Sequence, residues 1–437
     1  MSIIDQMSLE KVKNSYFYNP RNIKISEEEK RKIFRTKSNF KTSKLTIHLV
    51  GEYSKLKELF DFDDLEINIP SQPKQSKTDI FKEYKMGGCP DFGFNIKEIP
   101  YIIINFYSDE DKIYLGKQIE RNITKHTKFL HYPFIYKSGK EKLEYKYNHK
   151  NTPKYPVYII SKGRWEKRKT AKLMEKCQIP YKIVVEPSEY DKYAEVIDKK
   201  YILKAPEDFS ELGQGSIPVR NFVWDHAVKS GANAHWILDD NISDFYRFNN
   251  NLRIKVFNGV ALRAHEDYVD KFNYVLLSGL QYKKFVPDRV IRKPFTYNTR
   301  IFSCILINHE LDNILDERWR GKYNEDVDLS IRVLKAGVGT ILNNQFLCEK
   351  ETTLTSSGGN TDTIYGGKKN NDEFLLAKAQ SLKDQHPDIV KITNKYKRGI
   401  HHHANLLGFV NNELGYNPDN EIHKGNYNYG LELVEKE

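Results

Sequence analysis

The chain from about residue 155 to 241 alternates short apolar segments with helical segments. Four strand-like segments lie at 155–160, 183–185, 201–203 and 235–241. Between the third and the fourth, Pro218 opens a helical segment and Gly231 follows its end, which are the usual places for these residues. Strands separated by helices of this length predict βαβ units and a mainly parallel, mixed sheet, which is an α/β fold.

The last of these strands, with the sequence HWILDDN, ends in two carboxylates and an amide. Asp239, Asp240 and Asn241 follow the apolar run directly. Open α/β sheets bind ligands beyond the carboxyl ends of their strands. Hard oxygen ligands suit Mg²⁺ or Mn²⁺, of the kind that holds a diphosphate. The triplet therefore predicts a metal site, although an Asx turn or a helix N-cap explains most such triplets.

Composition limits the class of protein and its partners. The chain has 437 residues, 39% of them hydrophobic, and a net charge of +11. The charge fits a polyanionic partner such as nucleic acid, or phosphorylated substrates, and equally a lysine-rich surface that serves solubility. The four cysteines are far apart and form no CxxC pair, which predicts a reduced, cytoplasmic protein without a disulfide framework. We find no signal peptide and no membrane-spanning run, so no membrane partner is expected.

Changes in composition predict a boundary near residue 150. We expect a polar N-terminal segment at 1–45, which is irregular or a loosely attached helix, and a small α/β accessory module at 46–150. The basic, polar stretch 137–155 is the expected linker. We expect the main domain to span 151–415 and a polar tail to span 416–437.

Two turns have the composition of a phosphate site. The first strand is followed by Ser161, Lys162, Gly163 and Arg164. A hydroxyl, a glycine backbone and two cations can hold a phosphate or the edge of a base. The second turn contains Gly215 and leads into a helix with Arg220 and Asn221, where Arg220 can pair with a diphosphate. Ordinary exposed loops explain both segments as well, and neither is a GxGxxG or Walker loop.

Acidic residues open a helix further along the chain. Asn324 is a good N-cap, Glu325 and Asp326 fall in the first turn, and Gly337 ends the helix. Carboxylates at this position stabilise a helix through its dipole. One of them can also serve as the general base that an attacking hydroxyl needs.

Three consecutive histidines, His401 to His403, follow the cations Lys395, Lys397 and Arg398. Their spacing does not fit a closed zinc site. One imidazole can complete the coordination of a metal at Asp239 and Asp240, and we assign this to His402. We assign His401 and the three cations to phosphate contacts with DNA. A solvated loop is the competing interpretation.

From Tyr155 to about Asn411 the chain resembles the TET-associated glycosyltransferases of bacteriophages, relatives of the base J glucosyltransferases. The segments that carry the resemblance are YPVYIISKGRW, GQGSIPVRN, HWILDDNI, KYNEDVDLSIR, SSGGNTDTIY, HPDIVKI and KRGIHHH, in this order. The resemblance implies a GT-A-like domain that binds a nucleotide sugar, with a metal held at Asp239 and Asp240 and an acidic motif at Glu325 and Asp326.

The same resemblance implies a reaction. A sugar would pass from a UDP-sugar, with UDP-glucose expected, to the hydroxymethyl group of a modified base in double-stranded phage DNA, with 5-hydroxymethylcytosine expected. Mn²⁺ or Mg²⁺ is the expected cofactor, and the host cytoplasm is the expected location. Two alternatives stay open at this point: a GT-A glycosyltransferase that acts on a glycan or protein, and a non-catalytic DNA-binding protein.

Overall fold

The computed structural model describes the chain in fourteen stretches. They are residues 9–12, 15–18, 43–49, 101–106, 108–118, 122–127, 129–132, 143–148, 150–249, 252–287, 294–351, 372–394, 399–417 and 427–436. The described residues up to 132 belong to one compact unit, and those from 143 onward belong to a second.

The first unit is a small sheet with one described helix. Its elements are β1 (Leu9–Val12), β2 (Ser15–Tyr18), β3 (Ser43–Leu49), β4 (Tyr101–Phe106), α1 (Asp109–Gln118) and β5 (Phe129–Tyr132). The strand order is β1-β2-β4-β3-β5, with both parallel and antiparallel neighbours. The expectation of an irregular or helical N-terminal segment at 1–45 is wrong for β1 and β2. Both strands hydrogen-bond into the same sheet as the module, which local composition does not reveal.

The second unit contains the remaining strands and helices. Its strands are β6 (Leu143–Tyr147), β7 (Val157–Ile160), β8 (Lys182–Val185), β9 (Ile202–Lys204), β10 (Ala234–Asp239), β11 (Ile242–Asn249), β12 (Leu252–Val256), β13 (Val275–Tyr282), β14 (Phe295–Tyr297), β15 (Cys304–Asn308), β16 (Gly339–Lys350), β17 (Val390–Thr393), β18 (His401–Ala404) and β19 (Leu431–Glu435). Its helices are α2 (Lys169–Lys176), α3 (Tyr190–Ala194), α4 (Ile217–Lys229), α5 (Val260–Val269), α6 (Glu325–Lys335) and α7 (Asp372–Gln385).

A large mixed sheet forms the centre of this unit. Its order is β12-β11-β16-β13-β15-β10-β7-β8-β9, and β14 pairs with β16. The strands predicted from the βα pattern, β7 to β10, are all joined by parallel pairings. Within the described sheet, however, five of the nine pairings are antiparallel. The α/β class with a mixed sheet is confirmed. "Mainly parallel" is wrong because the chain returns through antiparallel strands after β10.

Helix α4 shows how the sheet is covered. Its buried residues Ile217, Arg220, Val223, Trp224 and Ala227 repeat at helical spacing, so they share one face. The apolar members pack in one core cluster with Ile237 of β10 and Ile305 of β15. Burial of a face of this size supplies the main hydrophobic stabilisation of the unit. The packing also holds the first turn of α4 beside the carboxyl end of β10.

The expected linker and C-terminal tail are partly built into the second unit. Strand β6, inside the stretch 137–155, pairs antiparallel with β19, inside the stretch 416–437. Tyr145 and Leu431 are buried in this pair. Both segments are polar, and the first is also basic, but their alternate apolar residues suffice for a half-buried strand. The linker and tail expectations are therefore wrong for these residues.

No helix in the described part of the chain is both long and apolar enough to cross a membrane.

Candidate active site

Strands β7 and β10 bring two of the predicted motifs together. The strands are parallel neighbours, with Ile160 opposite Asp239, so Ser161 and Asp240 leave the same edge of the sheet side by side. Ser161 Oγ donates to Asp240 Oδ2 at 2.8 Å, and Arg164 forms an ion pair with Asp240. Burial raises the pKa of Asp240, against the opposing effect of Arg164.

Asp239 lies between three donors. Arg220 Nη2 is 3.1 Å from Asp239 Oδ1, while Ser303 Oγ at 2.7 Å and Lys350 Nζ at 2.5 Å both contact Asp239 Oδ2. Burial alone would raise the pKa of this carboxyl, but the charges of Lys350 and Arg220 lower it well below its usual range. Asp239 is therefore a permanent anion that organises two cations.

Lys350 and Ser303 are site residues that sequence reasoning missed. Lys350 ends the long, buried strand β16, and Ser303 directly precedes β15. Burial lowers the pKa of Lys350, but the charge of Asp239 outweighs this effect and raises it above the usual value. A lysine at the end of an apolar strand is the same kind of signal as the carboxylates that end β10, and it could have drawn attention to Lys350.

The first turn of α4 closes one side of the site. Gly215 has a φ of +67°, a conformation that glycine adopts without strain, and it turns the chain into the helix. Arg220 Nε lies 3.2 Å from Ser216 Oγ and 3.3 Å from Glu325 Oε1. Ser216 Oγ in turn donates to Glu325 Oε1 at 3.0 Å. Arg220 thereby links the start of α4 to the start of α6.

Helix α6 begins where predicted, with Glu325 and Asp326 in its first turn. Asn324 precedes the helix at a φ of +56° and makes no side-chain cap; its Nδ2 instead donates to the Lys378 carbonyl at 2.9 Å. Burial and the neighbouring Glu325 raise the pKa of Asp326 to about 6, despite the charges of Arg220 and Lys350. A carboxyl with this pKa can accept a proton near neutral pH.

These groups line one pocket of about 360 Å³, within the range of small-ligand sites. The N-termini of α4 and α6 both border it and favour an anion there. Six cationic side chains contribute to the lining: Lys162, Arg164, Arg220, Arg300, Lys350 and Lys378. Five carboxylates contribute as well: Glu186, Asp239, Asp240, Glu325 and Asp326. Because both cationic and anionic side chains line the pocket, it suits a polar ligand that carries both phosphates and hydroxyls.

His402 is the histidine of the predicted trio that lines the pocket. It lies on β18, which pairs with β17, so this segment is a strand rather than a solvated loop. Burial, with Arg300 and Lys378 nearby, lowers the pKa of His402 to about 4, so the imidazole is neutral at pH 7. Neighbouring His401 does not line the pocket, and its Nδ1 contacts the Gly399 carbonyl at 3.0 Å. Lys395, Lys397 and Arg398 lie outside the described residues.

Three of the predicted nucleotide-sugar residues have structural partners. Asn221 lies outside the pocket, where its amide exchanges two hydrogen bonds with the backbone of Trp319. The Gly163 N–H donates to Glu189 at 2.9 Å, so it is not free to hold a phosphate. Lys162 lines the pocket but pairs with Glu186 at 2.7 Å. In the turn after β7, the Gly163 N–H and the Lys162 ammonium are therefore paired with carboxylates of the protein rather than open to an anion.

The predicted metal ligands do not fit a divalent ion in this arrangement. All four oxygens of Asp239 and Asp240 accept from Arg220, Ser303, Lys350, Arg164 or Ser161. Within the described stretches, no group of three or more histidine, cysteine or acidic side chains is arranged to hold a metal. Asn241 and His402 line the pocket but add no such group. The metal site therefore remains a prediction.

Comparison with known proteins identifies the class of protein as a glycosyltransferase. Residues 155–359 match the model of the TET-Associated Glycosyltransferase family. No curated protein sequence matches the chain. The matched residues include every strand of the parallel half of the sheet, both acidic motifs and Lys350.

Two solved structures share a weak similarity with the chain. A197 from STIV is 11% identical, with 45% of this chain and 86% of A197 covered, at a TM-score of 0.28. GalNAc-T7, solved with UDP, GalNAc and Mn²⁺, is 10% identical, with 46% of this chain and 44% of that protein covered, at a TM-score of 0.29. The chain thus spans less than half the length of GalNAc-T7.

Proposed function

We propose that this glycosyltransferase moves a sugar, expected to be glucose, from a UDP-sugar to the hydroxymethyl group of a base in double-stranded DNA. 5-Hydroxymethylcytosine is the expected base, and the cytoplasm of a phage-infected cell is the expected setting. One observation carries the proposal. The pocket joins a cation cluster, ordered by Asp239, to a half-buried carboxyl, Asp326, whose pKa is raised to about 6.

Recognition of the donor follows from the charges of the pocket. The diphosphate of a nucleotide sugar needs positive charge and N–H donors, and the two helix N-termini supply both. Lys350 and Arg220 add charged donors beside them. The Nη1 atom of Arg220 is buried and has no hydrogen-bond partner within the described residues. An oxygen atom of the bound nucleotide sugar could accept a hydrogen bond from Arg220 Nη1.

The transfer step needs a leaving group and a base. The bond between the anomeric carbon and the diphosphate oxygen breaks, and the electron pair leaves with UDP, whose charge the cations stabilise. A bond forms between the anomeric carbon and the acceptor oxygen. The hydroxyl proton goes to Asp326, a step typically worth 10²–10⁴ in rate. Glu325 contacts Ser216 and Arg220, so it fixes the position of Arg220 relative to the first turn of α6, which contains Asp326.

The DNA acceptor is supported by the resemblance and by charge. A net charge of +11 favours binding to a polyanion. A base inside a duplex is shielded by stacking, so the enzyme would have to expose it by base flipping. Lys395, Lys397, Arg398 and His401 are the residues predicted to contact the phosphates.

The test is transfer of radiolabelled glucose from UDP-glucose to matched duplexes. One duplex contains 5-hydroxymethylcytosine, one 5-hydroxymethyluracil and one cytosine, and a glycan and a protein are included as other acceptors. We expect label on a hydroxymethylated duplex and none on the cytosine duplex. Label on the glycan or protein alone would overturn the DNA acceptor. Failure to label any acceptor or to hydrolyse any UDP-sugar would contradict the donor.

A further inference from the structure

We infer that the donor site works without a divalent metal, because Lys350 supplies the positive charge beside Asp239 at the strand end. The inference rests on the proposed function, since it concerns the same diphosphate. It deepens that function by assigning the counter-charge of the leaving group to the protein itself.

The contacts of Lys350 show a built site. Its Nζ lies 2.5 Å from Asp239 Oδ2, 2.7 Å from Ser303 Oγ and 3.5 Å from the Tyr282 hydroxyl. Ser303 Oγ also donates to Asp239 Oδ2 at 2.7 Å. An ammonium has three donors and no acceptor, so these contacts orient it at one fixed position. Its side chain is only 13% exposed, which makes it part of the pocket wall.

The backbone conformation of Ser303 is a second, independent indication that the structure fixes the position of the Lys350 ammonium. Its φ of +60° lies in the left-handed region that residues other than glycine rarely adopt. Such backbone strain occurs where surrounding structure imposes it, often at functional sites. Here it places the hydroxyl between Asp239 and Lys350, and the Ser303 carbonyl accepts from the Asp239 N–H at 2.9 Å.

A divalent ion would have to displace these partners. It would break the pair of Asp239 with Lys350 or that of Asp240 with Arg164, both largely buried. It would also lie next to Lys350, Arg164 and Arg220, and like charges repel strongly where water is scarce. The carboxylates are already neutralised, so they have little to gain from a metal.

Lys283 offers a matched control. Like Lys350, it pairs with a carboxylate and a tyrosine: its Nζ lies 2.6 Å from Glu349 Oε1 and 2.8 Å from the Tyr246 hydroxyl. Its side chain is 21% exposed, but it does not line the pocket. If loss of any such ion pair weakened UDP binding, replacement of either lysine would do so. If Lys350 acts on the diphosphate, only its replacement should weaken UDP binding.

The experiment is calorimetric titration of the full chain with UDP, in excess chelator and then with Mn²⁺. The wild type should bind UDP in chelator, with Mn²⁺ changing the Kd by less than about threefold. Lys350→Met should weaken binding in chelator by about tenfold or more, as expected for loss of a positive charge beside the diphosphate. Lys283→Met should bind like the wild type, and Lys350→Arg should stay within about threefold. Because Lys350→Met removes the cation that contacts Asp239 Oδ2, added Mn²⁺ should restore part of the affinity of this variant for UDP.

The outcomes distinguish a failure of the metal-free donor site from a failure of the proposed function. Binding of UDP by the wild type only when Mn²⁺ is present would overturn the metal-free site while the proposed function stands. Equal weakening in Lys350→Met and Lys283→Met would also overturn it. No binding of UDP with or without Mn²⁺ would overturn the proposed function and this inference with it. Should Lys350→Met fail to fold, the wild-type comparison in chelator and in Mn²⁺ decides, with Lys350→Arg as the second variant.

Discussion

Asp239 and Asp326 both border the pocket, and their pKa values are shifted in opposite directions. Asp239 at the end of β10 is surrounded by Arg220, Lys350 and Ser303, and its pKa is lowered. Asp326 at the start of α6 is half-buried beside Glu325, and its pKa is raised. The two carboxyls differ because the cationic partners outweigh desolvation at Asp239, whereas desolvation, together with Glu325, outweighs the cations at Asp326.

The opposite pKa shifts imply different roles: Asp239 holds cations in place, and Asp326 can transfer a proton. A carboxyl that stays ionised at every accessible pH can fix cations but cannot take part in acid–base chemistry near pH 7. A carboxyl with a pKa of about 6 can exchange its proton there. We therefore expect changes at Asp239 to affect mainly stability and donor binding, and changes at Asp326 to affect mainly the rate of transfer.

Replacement of Asp239 should have the largest effect on stability. Asp239→Asn removes the counter-charge of Lys350 and one of the two carboxylates beside Arg220, and breaking a buried pair typically costs about 3–5 kcal/mol. Urea unfolding at pH 7 followed by circular dichroism would show it. Asp388→Asn removes an exposed partner of Lys335 and should cause no measurable loss. Equal stability of the two variants would mean that Asp239 does not organise the cations.

Replacement of Asp326 should have the largest effect on turnover. Asp326→Asn should lower kcat by about 10² or more, because an amide cannot accept the hydroxyl proton. Stability should not fall, since burial already disfavours the charged form of this side chain. Single-turnover kinetics with labelled UDP-glucose measure the chemical step. An unchanged kcat would show that Asp326 serves only the start of its helix.

The pH profile should show the same contrast at intermediate size. The base must be deprotonated to act, so log kcat/KM should rise with pH below about 6 and level off above it, with about tenfold loss per pH unit on the acid side. The residual activity of Asp326→Asn should lack this limb. A profile that is flat from pH 5 to 8 in the wild type would contradict the assignment of the base.

The histidines should give the smallest, unequal effects. His402 lines the pocket as a neutral imidazole, and His401 does not line it. His402→Ala should raise the KM for the UDP-sugar about fivefold, the size of one lost hydrogen bond of about 1 kcal/mol. His401→Ala should leave that KM within about twofold. Similar KM changes for both variants would mean that pocket lining does not distinguish the two.

Local patterns predicted much of this arrangement. The positions of β7 to β10 followed from apolar runs and helix signals, and the parallel order of these strands brings Ser161 and Arg164 next to Asp240. The start of α6 followed from the acidic first turn. The prediction failed for Asn221, which follows Arg220 on α4. Consecutive residues on a helix point about 100° apart, so Arg220 faces the pocket while Asn221 faces Trp319.

The sequence by itself determined the α/β class, the strand-end carboxylates and the acidic start of α6, because each depends on residues close together in the chain. Only the tertiary structure decided what those carboxylates contact. Lys350 lies 111 residues from Asp239, and Ser303 lies 64 residues away. Lys350 lies at the end of β16 and Ser303 directly before β15, and no local periodicity encodes the order of these strands in the sheet. Those long-range contacts set the charge state of Asp239 and Asp326, and therefore which of them can exchange a proton.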